Sequence, residues 1–109
     1  MIRALVAGPS MVPTLRHGDV VLAVRGVRVR AGDVVLGRFA DLPERLVVKR
    51  AARPVDDGWW LVSDNPFAGG DSEVHGAGEV LARVVLVLAP GRPRRVGRDR
   101  PGEGGGEGG

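Results

Sequence analysis

The chain has no cysteine among its 109 residues. Disulfide bonds and thiolate chemistry are therefore excluded. Its two histidines, His17 and His75, stand apart and have no cysteine partners, so no zinc-ligand set is present and no metal or other cofactor is expected. No apolar run approaches the ~20 residues of a membrane-spanning helix. Met1 to Gly8 is too short for a secretory signal, so no membrane anchor and a cytoplasmic location are expected. Lysine is almost missing as well. Lys49 is the only one, and every other cationic side chain is arginine.

Charge is modest and uneven. The net value is +3, and from Pro90 onward five arginines face Asp99, Glu103 and Glu107, which leaves the rest nearly neutral. Arginine concentrated in such a segment is weak support for a nucleic-acid surface, and no nucleic-acid partner is expected.

What is present is a series of short apolar segments separated by turn residues. Ile2 to Ala7, Asp19 to Val24, Val34 to Phe39, Arg45 to Arg53, Trp59 to Val62 and Glu79 to Leu88 read as strands, several of them rich in valine. Arg25 to Arg30 alternates, with Val27 and Val29 on one face and Arg28 and Arg30 on the other, and reads as a half-exposed strand. Ala31-Gly32-Asp33, Asp41 to Glu44 and Asp56-Asp57-Gly58 mark turns. Ser63 to Gly78 is rich in glycine, aspartate, serine and asparagine and reads as an irregular site loop. The fold class is mainly β, built of short strands without a long helix. Residues 1–90 form the domain. Residues 91–109, rich in Arg, Pro and Gly, carry no apolar pattern and read as a disordered tail.

Two positions suggest chemistry. Ser10 lies in Gly8-Pro9-Ser10-Met11-Val12-Pro13, where two prolines fix φ and Gly8 tolerates unusual backbone angles. The stretch is a rigid loop or a single helical turn. It is either a mount for a nucleophile beside an oxyanion-binding amide, or a proline-rich turn into the next strand. Lys49 alternates with Val47 and Ala51 on one face, while Arg50 shares the other with Leu46 and Val48. Desolvation on an apolar face pushes an amine toward its neutral, basic form, which an arginine cannot adopt. The competing reading is a strand-edge lysine whose amine reaches water. Its standing alone among arginines favours a role. Ser10 and Lys49 together make a candidate nucleophile–base dyad.

These residues also carry a family resemblance. Gly8-x-Ser10-Met11-x-Pro13-Thr14-Leu15, Gly18-Asp19, Gly32-Asp33-Val34-Val35, Val48-Lys49-Arg50, Ser63-Asp64-Asn65 and Asp71-Ser72 follow one another as do the motifs of the type I signal peptidase family. That family uses a Ser–Lys dyad on a mostly β fold shared with the self-cleaving LexA-type repressors. The resemblance covers roughly residues 4–88. It implies that Ser10 is the nucleophile and Lys49 the general base. The Ser10 amide would serve the oxyanion, Gly8 and Met11 would lie at the substrate, and Pro13, Asp64, Asn65, Asp71 and Ser72 would support the site. With only nine residues before Ser10, the chain is most similar to the anchorless branch of nickel-type superoxide dismutase maturation proteases, an impression strengthened by Asp57-Gly58-Trp59-Trp60 and Asp64-Asn65-Pro66-Phe67-Ala68. The implied partner is a precursor protein with an N-terminal leader.

Three positions depart from the family pattern. Ser63 replaces a glycine. Gly69 replaces a serine whose hydroxyl helps to hold the lysine, and Glu73 replaces an arginine that pairs with the aspartate. Ser63 or Ser72 is left to supply the missing hydroxyl. A binding domain on the same fold, impaired in catalysis, is one alternative. A LexA-like self-cleaving regulator is another, but it needs a cleavable segment and a DNA-binding domain ahead of the serine.

Overall fold

The valine-rich runs become the strands of one antiparallel sheet. A computed structural model describes residues 1–89 and 93–98. Its elements are β1 (Ile2–Leu5), β2 (Val20–Val24), β3 (Val34–Phe39), β4 (Val47–Val55), β5 (Gly58–Val62), the one-turn helix α1 (Ser72–His75), β6 (Gly78–Ala89) and β7 (Arg94–Arg95). The strand order is β1-β2-β6-β3-β4-β5, with β7 added beside β6. The twelve-residue β6 is the spine. Its first half pairs with β3 and its second half with β2. A further pairing, Trp59 with Gly78, brings β5 back to β6, so β6, β3, β4 and β5 close on themselves. Gly78 permits that closure, because a side chain there would strike Leu61.

Strand β3 is the wall shared by two apolar clusters. Val34 and Leu36 face the larger one, with Val6, Met11, Leu15 and Val84. Val35 and Phe39 face the smaller one, with Ala51 and Leu61, inside the closed part. The period of two along a strand produces this division. Each fully buried Val, Leu or Phe stabilises the fold by about 1.5–3 kcal/mol.

The structure is mainly β, with no long helix among the described residues, as the sequence implies, but four segments differ from expectation. Arg25–Arg30 is not a strand: the chain turns at Gly26, whose φ of 74° lies in the left-handed region and ends the extended run after Val24. The expected strand Arg45–Arg53 begins two residues later and ends two later. Arg45 still belongs to the preceding turn, its amide donating to the Leu42 carbonyl at 3.1 Å. The irregular stretch 63–78 holds the short helix α1, capped by Asp71, whose carboxylate accepts from the Glu73 amide.

The fourth difference lies in the expected disordered tail. Residues 91–92 and 99–109 fall outside the described residues, but 93–98 pack onto the sheet. Arg94 and Arg95 pair with Val87 and Leu86. Val96 packs against the larger cluster. Arg98 Nε donates to Asp33 at 2.7 Å. Gly32, at φ 97°, lets the Arg98 backbone approach closely where a side chain would collide. The reason is polar rather than apolar. Arg50 is buried, and its Nη1 donates to the carbonyls of Gly32, Gly97 and Arg98 at 2.8–2.9 Å. A desolvated guanidinium needs acceptors, and this segment provides two of those three.

Truncation after Pro90 should therefore lower the melting midpoint. Charge-assisted hydrogen bonds contribute about 1.5–3 kcal/mol each. In a domain of this size about 1 kcal/mol corresponds to 4–8 °C, so a drop of roughly 10 °C or more is expected by calorimetry. An unchanged midpoint would contradict the role given to residues 93–98.

Candidate active site

The serine loop is a tight, non-helical turn tied down at both ends. The Leu15 amide donates to the Met11 carbonyl at 2.8 Å, and the Val12–Pro13 peptide is cis. Gly8 takes φ 82°, and its amide donates to Nδ1 of His17 at 2.9 Å. His17, exposed at the surface, thus fastens the loop entrance. Asn65 fastens the serine itself. Its amide donates to the Ser10 carbonyl at 2.9 Å, and its Nδ2 donates to the Pro9 carbonyl at 3.0 Å. Among the described residues nothing accepts from the Ser10 amide.

Lys49 sits on the apolar face that its alternation implies. Val47 and Ala51, its neighbours on that face, both join the smaller cluster, and only 4% of Lys49 is exposed. Its Nζ donates to Ser63 Oγ at 2.9 Å. This resolves the choice between Ser63 and Ser72. Ser72 Oγ is committed elsewhere, accepting from the Leu61 amide at 2.8 Å and locking α1 to β5. A register shift between Ala51 and Arg53 accounts for the selection. Beyond it Arg50 pairs with Val62, the last pair of the ladder, and the same register carried one step on sets Lys49 toward Ser63, where the hydrogen bond forms. Without the bulge that shift produces, Asp64 would stand there instead.

Burial holds the Lys49 pKa below the ordinary 10.5 of a lysine. The charge of Asp71 opposes the shift and that of Arg45 adds to it. Arg50, the next residue, points the opposite way. Its Nε and Nη2 grip both oxygens of Asp64 at 3.1 and 2.6 Å, and the Thr14 hydroxyl donates to the same carboxylate. Asp64 thus anchors the Arg50 side of β4 while its neighbour Asn65 holds the serine loop.

Ser10 and Lys49 line one cleft of about 380 Å³. Gly8, Pro9 and Gly69 also line it, with Leu5, Val6, Phe39, Leu42, Leu46 and Val47 as apolar wall. Lys49 hydrogen-bonds Ser63 rather than Ser10. Met11 departs from expectation. At 1% exposure its side chain belongs to the core rather than to the substrate surface, because the turn that presents Ser10 directs the next side chain inward. Pro13 is exposed and contributes backbone shape. Glu73 is exposed, and its backbone amide, not a basic side chain, engages Asp71.

The cleft also holds groups that spacing does not reveal. His75 stacks on Phe39 with ring centroids 4.8 Å apart, and its Nδ1 lies 2.7 Å from Asp41 Oδ2. Thr14 and Arg50 support the loop from behind. The structure ties His75 to the Asp71-Ser72 motif through α1, which Asp71 caps and which ends at His75. Among the described residues no group of three or more His, Cys, Asp or Glu side chains is placed to hold a metal. No helix among them is long and apolar enough to cross a membrane.

The arrangement comprises a serine on a pinned turn, an amine biased toward its free base and an apolar cleft between strands. No curated protein and no solved structure gives a significant match. A family model does match residues 2–85, which span the serine turn, Lys49 and the whole of the closed sheet. Its description is Peptidase S24-like, which supports the LexA and signal-peptidase-like resemblance of the motifs. By that match, over most of its length, the chain belongs to the Peptidase S24-like family.

Proposed function

We propose that the protein is a serine endopeptidase acting in the cytoplasm, and that it removes an N-terminal leader from a precursor such as nickel-type superoxide dismutase. The observation that carries this reading is the buried Lys49, held by Ser63 and lining the same cleft as Ser10. Ser10 attacks the scissile carbonyl and the neutral Lys49 amine accepts its proton. The Ser10 amide donates to the developing oxyanion. The protonated Lys49 then gives its proton to the leaving amine. Water, with Lys49 again as base, releases the acyl group. Close apolar walls favour a small residue before the scissile bond. The direct test is incubation of the purified protein with the precursor, followed by intact-mass measurement. A single shortened product, absent with Ser10→Ala, supports the assignment. Binding of the leader without cleavage would instead make this a binding domain on a peptidase fold, a reading favoured by the amine's bond to Ser63 instead of Ser10.

The pH dependence follows from the causes of the Lys49 shift. Because the pKa lies below 10.5, the rate of acylation should rise with pH and level off about a midpoint below that value. Asp71→Asn removes the charge that favours the ammonium form and should move the midpoint down. Arg45→Gln removes a charge that disfavours it and should move the midpoint up. The stability effect has a definite sign. Below its folded pKa the buried ammonium costs stability, and the cost is relieved as pH rises from that pKa toward 10.5. Single-turnover rates across pH for the three proteins measure the shifts. A midpoint that neither variant moves would mean that Lys49 is not the titrating base.

A further inference from the structure

The turn between β3 and β4 places one cation in the cleft without a counter-charge. Arg45 lines the cleft beside Leu42 and Leu46, and among the described residues its guanidinium has no hydrogen bond or ion pair. Neither acid of that turn, Asp41 or Glu44, lines the cleft, and Asp41 lies against His75, whose Nδ1 is 2.7 Å from its Oδ2. His75 is itself fixed by its stack on Phe39, and α1, which carries it, is locked to β5 through Ser72. Arg45 is exposed, and a guanidinium that lines a cleft without a partner is a matched receptor for a carboxylate.

We infer that Arg45 is a specificity-determining residue, and that the cleft takes a peptide bearing an aspartate or glutamate side chain close to its scissile bond. The inference names the substrate class for the site proposed above and rests on that cleft being the peptide-binding site. The guanidinium also acts on Lys49 through space, so an acidic substrate that neutralises it should leave a mark on the base as well.

The test is a binding measurement that does not require turnover. Ser10→Ala protein is titrated with fluorescent peptides in which each position flanking a small residue carries in turn Glu, Gln or Lys. At low salt one Glu position should bind about fivefold more tightly than its Gln counterpart, the scale of a partly exposed ion pair. The preference should fade as salt is raised. Arg45→Glu should reverse it, favouring the Lys peptide at the same position. Equal binding of Glu and Gln peptides at every position would overturn the inference, as would a preference that survives Arg45→Glu. Cleavage by the wild-type protein is read separately. Cleavage without a Glu preference leaves the peptidase reading standing and removes this inference. A reversible Glu preference without cleavage does the opposite.

Discussion

Ser10→Ala and Lys49→Arg should each reduce precursor cleavage by about a thousandfold or more, and the double variant should be no worse than either alone. Groups that act as one unit are lost together, so their effects do not add. The arginine substitution is the more informative of the two. It keeps the positive charge and most of the stem but cannot provide a neutral amine at working pH. If Lys49 were only a strand residue reaching toward water, arginine would be tolerated, as it is at every other cationic position in this chain. The burial of Lys49, at 4% exposure, leaves little room for a guanidinium, so folding must be measured alongside. Lys49→Met is the companion variant, since it fits the apolar face of Val47 and Ala51 and relieves the buried charge. It should be at least as stable as wild type near neutral pH and equally inactive. Either variant, folded and cleaving at near wild-type rate, would remove Lys49 from the mechanism.

The sequence made the face of Lys49 legible because alternation along a strand is a strict geometric rule. Val47 and Ala51 joined one cluster and Val48 the other, as the period of two demands. The identity of the hydroxyl that holds the lysine was not legible in the same way. Ser63 and Ser72 are both near in sequence, and the choice turns on a one-residue shift in the β4–β5 ladder. Such a shift leaves no trace in composition. Arg25–Arg30 misleads for the opposite reason: its alternation is present, but Gly26 takes a backbone angle that ends the strand first. The segment 93–98 was hidden because its order comes only in part from its own side chains, Val96 on the larger cluster and Arg98 on Asp33. The rest comes from the demand of a buried arginine far away in sequence for carbonyl acceptors. Asp41 and Arg45 read as parts of one turn and one strand. That Asp41 meets His75, while Arg45 lines the cleft without a partner among the described residues, follows only when α1 brings His75 across.

The buried pair of Arg50 and Asp64 should prove the most fragile point of the fold. Arg50 is 2% exposed, and its side chain grips both oxygens of the carboxylate and three carbonyls. Removing one partner of a buried pair strands the other charge and costs about 3–5 kcal/mol. That is a large share of the 5–15 kcal/mol typical of a whole domain. Arg50→Ala and Asp64→Ala should therefore unfold the protein at temperatures that wild type withstands, by roughly 15 °C or more in melting midpoint. Arg50→Lys should recover little of this, because a single ammonium cannot meet acceptors spread around a planar fork. The double variant Arg50→Ala with Asp64→Ala should be less damaged than the two losses added together, since no charge is left without its counterpart. The same cycle reads out on the active site. Asn65, adjacent to Asp64, holds the Ser10 and Pro9 carbonyls, so a double variant that folds should still lose activity through a loosened serine turn. Melting curves and cleavage rates for the four proteins check both parts. Additive losses in stability would mean that the pair is not coupled. Full activity in a folded double variant would mean that the serine turn does not depend on it.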